Sequence, residues 1–289
     1  MTTKSKGEST RQKLTTLSKK MGVVYKDLET VFLIERLVAR LIADKHLASH
    51  LVFKGGFVGL KIYESPRYTV DLDALLVKAN IKETLERVKQ QAESDLNDGV
   101  WFRFECQVDL ATQGEYGGIR HSYRTGIGEV FKNIRKAQIV HFDLGIGDPV
   151  TPGPQKKQTP SLLSGNAEIS WSVYPIETIC AEKLHALISH GDQNSRSKDV
   201  HDLAVFLPKV DGTILKDALK RSFDFRSTDL PKSFHAEIKN INTDWLERGW
   251  ASAVDSIPDP MSFKTAFEKV VKLIGEIEAT NAKPNFRTY

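Results

Sequence analysis

The apolar run YTVDLDALLV (68–77) reads as a strand, and inside it two aspartates are separated by a single leucine. Alternate residues of a strand share a face, so Asp71 and Asp73 present two carboxylates side by side while Leu72 enters the core. Like charges held this close repel, and a hard dication is the usual compensation. A third acid, Asp143 in VHFDLG, stands mid-strand in apolar company, where a carboxylate is costly unless it joins the other two. Three acids on adjacent strands can hold two Mg²⁺ ions about 3.5 to 4 Å apart, which activates an acceptor hydroxyl and stabilises a leaving pyrophosphate. Upstream, LVFKGG reads as a short strand ended by Gly55 and Gly56, which lack Cβ atoms and let backbone N–H groups approach phosphate oxygens. Lys54 and Arg67 are cations near the same loop, able to offset phosphate charge that metals leave uncovered.

Around this centre the pattern is first mixed and then helical. Leu28, Val31, Phe32, Ile34, Leu37, Val38, Leu41 and Ile42 predict a helix over 27–48, with Arg36 and Arg40 turned outward. Residues 81–96 read as a second helix, and strands are expected over 100–111, 118–125 and 138–148, with Gly114, Gly117 and Gly118 making the first turn. The segment DPVTPGPQKKQTP carries four prolines and reads as a loop between domains. From about residue 175 helical patterns dominate, and KPNFRTY reads as a frayed tail.

The formal net charge of +4 allows a polyanionic partner without demanding one. Cys106 and Cys180 lie far apart in apolar surroundings and are read as buried thiols, in keeping with a reducing cytoplasm. No segment has the character of a signal peptide or a membrane span, so a cytoplasmic protein without membrane contact is expected. His185, His190 and His201 lack zinc spacing and are read as packing or solvent-facing residues, and K-G-G lacks the ending of a Walker loop.

The stretch FKGGFVGLKIYESPRYTVDLD resembles the first motif of the AbiEii/AbiGii-type nucleotidyltransferase toxins, a family that includes the MenT proteins. Lys54, Gly55, Gly56, Arg67, Tyr68, Thr69, Asp71, Leu72 and Asp73 all match, whereas Phe57 and Val58 replace a small residue and a leucine. VHFDLGIGDPV is similar to the strand with the third acid, YPIETICAEKLHALISH to a helix with a functional lysine (Lys183), and RSKDVHDL to a closing motif giving Arg196, Lys198, Asp199 and Asp202. The resemblance implies an α+β fold: a polar extension (1–24), a DNA polymerase β-like nucleotidyltransferase domain with a mixed sheet (25–160) and a mainly helical C-terminal domain completing the active site (161–289).

It further implies transfer of a nucleoside monophosphate from an NTP. Asp71, Asp73 and Asp143 would hold Mg²⁺, with Mn²⁺ as an alternative, and Lys54, Gly55, Gly56, Arg67 and Lys183 would bind nucleotide. A positioned Lys183 would stabilise charge on the departing pyrophosphate, with Asp199 orienting it or binding near the nucleotide and Asp202 capping or pairing within its own helix. The implied acceptor is the 3′ end of tRNA, and the implied partner is a cognate antitoxin; a role in phage defence goes with the family. In related toxins a Ser or Thr at the position of Thr69 is phosphorylated by the partner; Thr69, two residues before Asp71 on the same strand, is expected on the metal-ligand face. Arg120, His121, Arg124, Lys132, Arg135 and Lys136 cluster about a hairpin that could track an RNA backbone. Two other readings stay open: an antibiotic-type transferase acting on a small molecule, and a nucleotide-binding regulator without turnover.

Overall fold

The computed structural model describes residues 3–110, 118–190 and 195–281, so the turn expected at Gly114 and Gly117 and the tail KPNFRTY lie outside the described residues. Two compact units emerge, one from Met1–Gly147 with Gln155–Val173, the other from Asp148–Pro154 with Tyr174–Tyr289.

The first unit opens with three helices, α1 (Thr3–Met21), α2 (Tyr25–Ala43) and α3 (Lys45–His50). The polar extension is therefore helical. It carries few apolar residues, of which Leu14 is fully buried, and it reaches the sheet through a close backbone approach: a Cβ on Gly7 would lie 2.2 Å from the Cα of Gly128. The helix expected over 27–48 breaks at Asp44, whose side chain leaves the first helix to accept the N–H of Leu47 at 2.9 Å and cap α3.

A seven-stranded mixed sheet follows, built from β1 (Leu51–Lys54), β2 (Asp71–Leu76), β3 (Val100–Leu110), β4 (Gly118–Ile127), β5 (Gln138–Ile146), β6 (Gln155–Thr159) and β7 (Ile169–Val173) in the order β3-β4-β5-β2-β1-β7-β6. β2 runs parallel to β5 and β1 to β7; the other pairings are antiparallel. Between β1 and β2 lies α4 (Gly55–Ile62), and between β2 and β3 lies α5 (Ile81–Ala92). The loop reading of 155–159 is corrected: QKKQT is a strand at the sheet edge, where one free side tolerates lysines. The β6–β7 hairpin returns the chain to this sheet, so the sequence boundary at 160 falls inside the hairpin.

Arg36 and Arg40 do not face outward. The chain from Thr30 to Val38 is buried all round because α2 packs against α1, α5 and β7. Both guanidinium groups converge on Asp98: Arg36 Nε donates to Oδ2 at 2.7 Å, and Arg40 donates to Oδ2 and Oδ1 at 2.9 Å each. Burial alone would raise the Asp98 pKa, yet Arg40 and Arg36 together hold it below the usual carboxylate value. The thiols also divide: Cys180 is buried, whereas Cys106 is exposed on β3, the edge strand opposite β6.

The second unit contains α6 (Ile176–Ser189), α7 (Ser197–Phe206), α8 (Gly212–Phe225), α9 (Phe234–Lys239), α10 (Asp244–Arg248), α11 (Trp250–Ala253) and α12 (Phe263–Asn281). Ile179, Leu184 and Leu187 of α6 are buried, as are Leu215, Leu219 and Phe223 of α8, which packs against it. His185 lies edge-on to Phe223 with ring centroids 4.6 Å apart, and burial lowers its pKa to about 4, so it packs as a neutral ring. No helix among the described residues is long and apolar enough to cross a membrane.

Candidate active site

β1 ends at Lys54, which stands opposite Asp73 in the β1–β2 register. The chain then turns through Gly55, whose φ of +74° lies in the left-handed region. A Cβ there would lie 2.0 Å from Asp73 Oδ2, so only glycine lets the start of α4 approach this carboxylate. The helix N-terminus supplies free N–H groups and a partial positive charge beside it. A Cβ on Gly56 would meet Thr69 Oγ1 at 3.0 Å and an Arg67 terminal nitrogen at 3.4 Å, which places Lys54, Gly55, Gly56, Arg67, Thr69 and Asp73 in one neighbourhood. Arg67 is buried, and one of its terminal nitrogens donates to the Tyr68 carbonyl at 3.4 Å.

On β2, Leu72 is buried while Asp71 and Asp73 are partly open. The parallel register sets Asp73 beside Asp143 and Asp71 beside His141 on β5, so all three carboxylates project from one face of the sheet. Asp143 carries a partner from the basic cluster that the sequence places about a hairpin able to track RNA. Arg120 of β4, opposite it in register, donates through Nε to Oδ1 at 2.7 Å and through Nη2 to Oδ2 at 2.6 Å. The hydrogen bonds to Asp143 raise the Arg120 pKa; burial opposes them, and the charges of Asp143, Asp71 and Asp73 add to the rise. Among the described residues, no three His, Cys, Asp or Glu side chains gather as a metal-binding group. The donor chemistry nevertheless suits a hard dication at Asp71 and Asp73: the set is all carboxylate oxygen, and both residues are partly open.

Thr69 precedes the strand, which begins at Asp71, so strand alternation does not fix its direction. Its hydroxyl donates to the Asp71 carbonyl at 3.4 Å, and its proximity to Gly56 brings it to the glycine turn instead.

In the second unit, Lys183 of α6 reaches two carboxylates of α7, Asp199 Oδ1 at 2.6 Å and Asp202 Oδ2 at 2.8 Å. Asp199 meets Lys183, one of the two placements read for it from the sequence. Asp202 meets His201 of its own helix at 3.3 Å, and its side chain, 1% exposed, also reaches across to Lys183 of α6. Arg226 was not signalled by any motif; it pairs with Asp148 at 3.1 Å and Glu182 at 3.7 Å.

These residues follow one another along a single matched stretch. Residues 36–271 fit the model of the nucleotidyl transferase AbiEii toxin of type IV toxin–antitoxin systems. The chain belongs to the AbiEii nucleotidyltransferase toxin family. Solved structures show the same fold at low identity. JHP933 from Helicobacter pylori aligns over 89% of this chain and 94% of its own, with 17% identity and a TM-score of 0.55. A second solved structure, described as a candidate nucleotidyltransferase from H. pylori, aligns over 89% of this chain and 97% of its own, with 16% identity and a TM-score of 0.55. No curated protein matches the sequence.

The basic cluster of this AbiEii chain is smaller than its sequence suggested. Besides Arg120, Arg124 is spent on Glu105 at 2.7 Å and on the carbonyls of Arg135 and Ala137. His121 is 1% exposed, and burial, followed by the charge of Lys89, lowers its pKa to about 4. Lys132, Arg135 and Lys136 remain exposed.

Proposed function

We propose that this AbiEii protein is a Mg²⁺-dependent enzyme of the cytoplasm that transfers a nucleoside monophosphate from an NTP to the 3′ end of tRNA, so blocking translation and growth, and that a cognate antitoxin neutralises it. The observation that carries the reading is the meeting of Gly55 with Asp73: a helix N-terminus, a left-handed glycine and a carboxylate pair occupy one corner of the sheet. A structural turn needs no carboxylates aimed at it, whereas a triphosphate held by a cation needs both.

Asp71 and Asp73 would hold the cation, Mg²⁺ or Mn²⁺, with Asp143 as the third acid. The cation supplies charge neutralisation for the pyrophosphate and lowers the pKa of an acceptor hydroxyl. The backbone of Gly55 and Gly56, with Lys54 and Arg67, would bind and orient the triphosphate. We also propose that Lys183, held by Asp199 and Asp202, supplies an ammonium whose fixed position stabilises developing charge. The exposed Lys132, Arg135 and Lys136 favour a polyanionic acceptor over a small cationic one.

Incubating the protein with total tRNA, Mg²⁺ and each of four labelled NTPs tests the reading. Label from one NTP is expected at the tRNA 3′ end; absence of label from all four would refute the acceptor assignment. We also propose that partner-directed phosphorylation of Thr69 inactivates the enzyme. A phosphate adds about −1.5 to −2 charges, and Thr69 stands over the glycine turn where the triphosphate is proposed to sit. Thr69→Glu is expected to lose transfer while Thr69→Ala keeps it; an active Glu variant, with Thr69 unmodified on co-expression with the neighbouring gene product, would end the idea.

A further inference from the structure

Arg120 has no part in the chemistry so far, yet it is the group that takes up Asp143. Its two donors meet the two carboxylate oxygens at 2.7 and 2.6 Å, a two-pronged pairing that leaves neither oxygen unengaged. The pair is not sealed in the core, since the Arg120 side chain is 32% exposed and that of Asp143 17% exposed. Water and solutes can therefore compete for both partners, and a pair this open to water contributes less to stability than a buried one. The register leaves Asp143 no way of avoiding the site, because its neighbours are Asp73 on one side and Arg120 on the other.

We propose that Arg120 is a built-in competitor for the divalent cation at Asp143, a positioning residue that acts through that carboxylate. In the nucleotide-free protein Asp143 is taken up by Arg120, and it joins Asp71 and Asp73 at a cation when the guanidinium is drawn away. A triphosphate is the chemical class suited to draw it, because phosphate oxygens accept the same two-pronged donation from arginine. Cation binding is then completed by nucleotide arrival, which keeps the unloaded site from holding a tightly bound metal. The inference rests on the nucleotidyltransferase reading of the carboxylates.

The test is a Mn²⁺ titration of the nucleotide-free full chain, with affinity read from the free-ion paramagnetic resonance signal and bound waters counted by pulsed resonance in deuterated buffer. Arg120→Gln is expected to bind Mn²⁺ about tenfold more tightly, the scale of removing one partly screened opposing charge. Its bound ion is also expected to carry one water fewer than in the wild type, because Asp143 takes that position. Adding Asp143→Asn to Arg120→Gln should restore the water. Arg120→Lys, which keeps the charge and loses the fork, should fall between wild type and Arg120→Gln. An unchanged water count in Arg120→Gln overturns the proposal even if affinity rises, since charge alone would then account for the change. Asp73→Asn separates the two levels: if it weakens Mn²⁺ binding while Arg120→Gln changes nothing, only the role of Arg120 fails. If Asp73→Asn leaves binding untouched, the cation reading of the site fails and the proposal with it.

Discussion

Two aspartates of the first unit are gripped by arginines, and the pairs differ in how far water reaches them. Asp98 is 2% exposed between Arg36 at 6% and Arg40 at 0%, whereas Asp143 and Arg120 are 17% and 32% exposed. In the buried cluster no solvent can replace a lost partner, so the contacts are obligatory and their role is to join α2 to the chain entering β3. At the sheet face the same chemistry is exchangeable, because a cation or phosphate can take the place of either partner. Ion-pair chemistry alone therefore does not mark a functional site; access does.

The largest effect should come from breaking the buried cluster. Asp98→Ala strands two guanidinium groups in the core, and a loss of about 3–5 kcal/mol is expected for an uncompensated buried pair, measurable by urea unfolding. A loss below about 1 kcal/mol would remove the distinction between the clusters. The same cluster sets an acid limb. Because the folded pKa of Asp98 is depressed, its contribution is present above the unfolded pKa of about 3.9 and is lost as pH falls through the folded value. Asp98→Asn should flatten that part of the pH–stability curve.

The Lys183 group lies between the extremes, with Lys183 13%, Asp199 9% and Asp202 1% exposed. Its removal should therefore act on both quantities. Lys183→Ala is expected to lower transfer by about 10² to 10³, and also to reduce stability because it strips Asp202 of its ammonium. Turnover must be measured where circular dichroism shows the variant folded; an unchanged rate there would make the lysine a structural clamp alone. The smallest effect belongs to the open pair: Asp143→Asn should change unfolding stability by no more than about 1 kcal/mol, and a larger loss would make Arg120–Asp143 a strut.

Whatever depended on neighbouring residues was legible in the sequence. The i, i+2 aspartates, the glycine turn after a strand and the third acid on its own strand follow from local alternation, and the structure sets Asp73 beside Asp143 as that pattern suggests. What depended on distant partners was not. Arg36 and Arg40 read as an outer helix face because their partner lies about sixty residues away, and Arg120 read as an RNA contact because its pairing with Asp143 needs the β4–β5 register. The α1 helix escaped notice since its docking uses glycine contact more than apolar periodicity, and β6 because an edge strand can be polar on most of its surface. Thr69 was assigned to the strand by extending alternation two residues past the point where pairing begins. One signal could have found Arg120: a carboxylate inside an apolar strand demands a cation, and an arginine on the preceding strand was available.

The most direct test of the carboxylate site is nucleotide transfer by Asp71→Ala and Asp73→Ala beside the wild type, with thermal midpoints taken without and with Mg²⁺. Both variants should remain folded and transfer no label. Without Mg²⁺, either change should leave the midpoint equal to or above that of the wild type, because it relieves repulsion within the pair. Full transfer by folded Asp71→Ala would contradict the account.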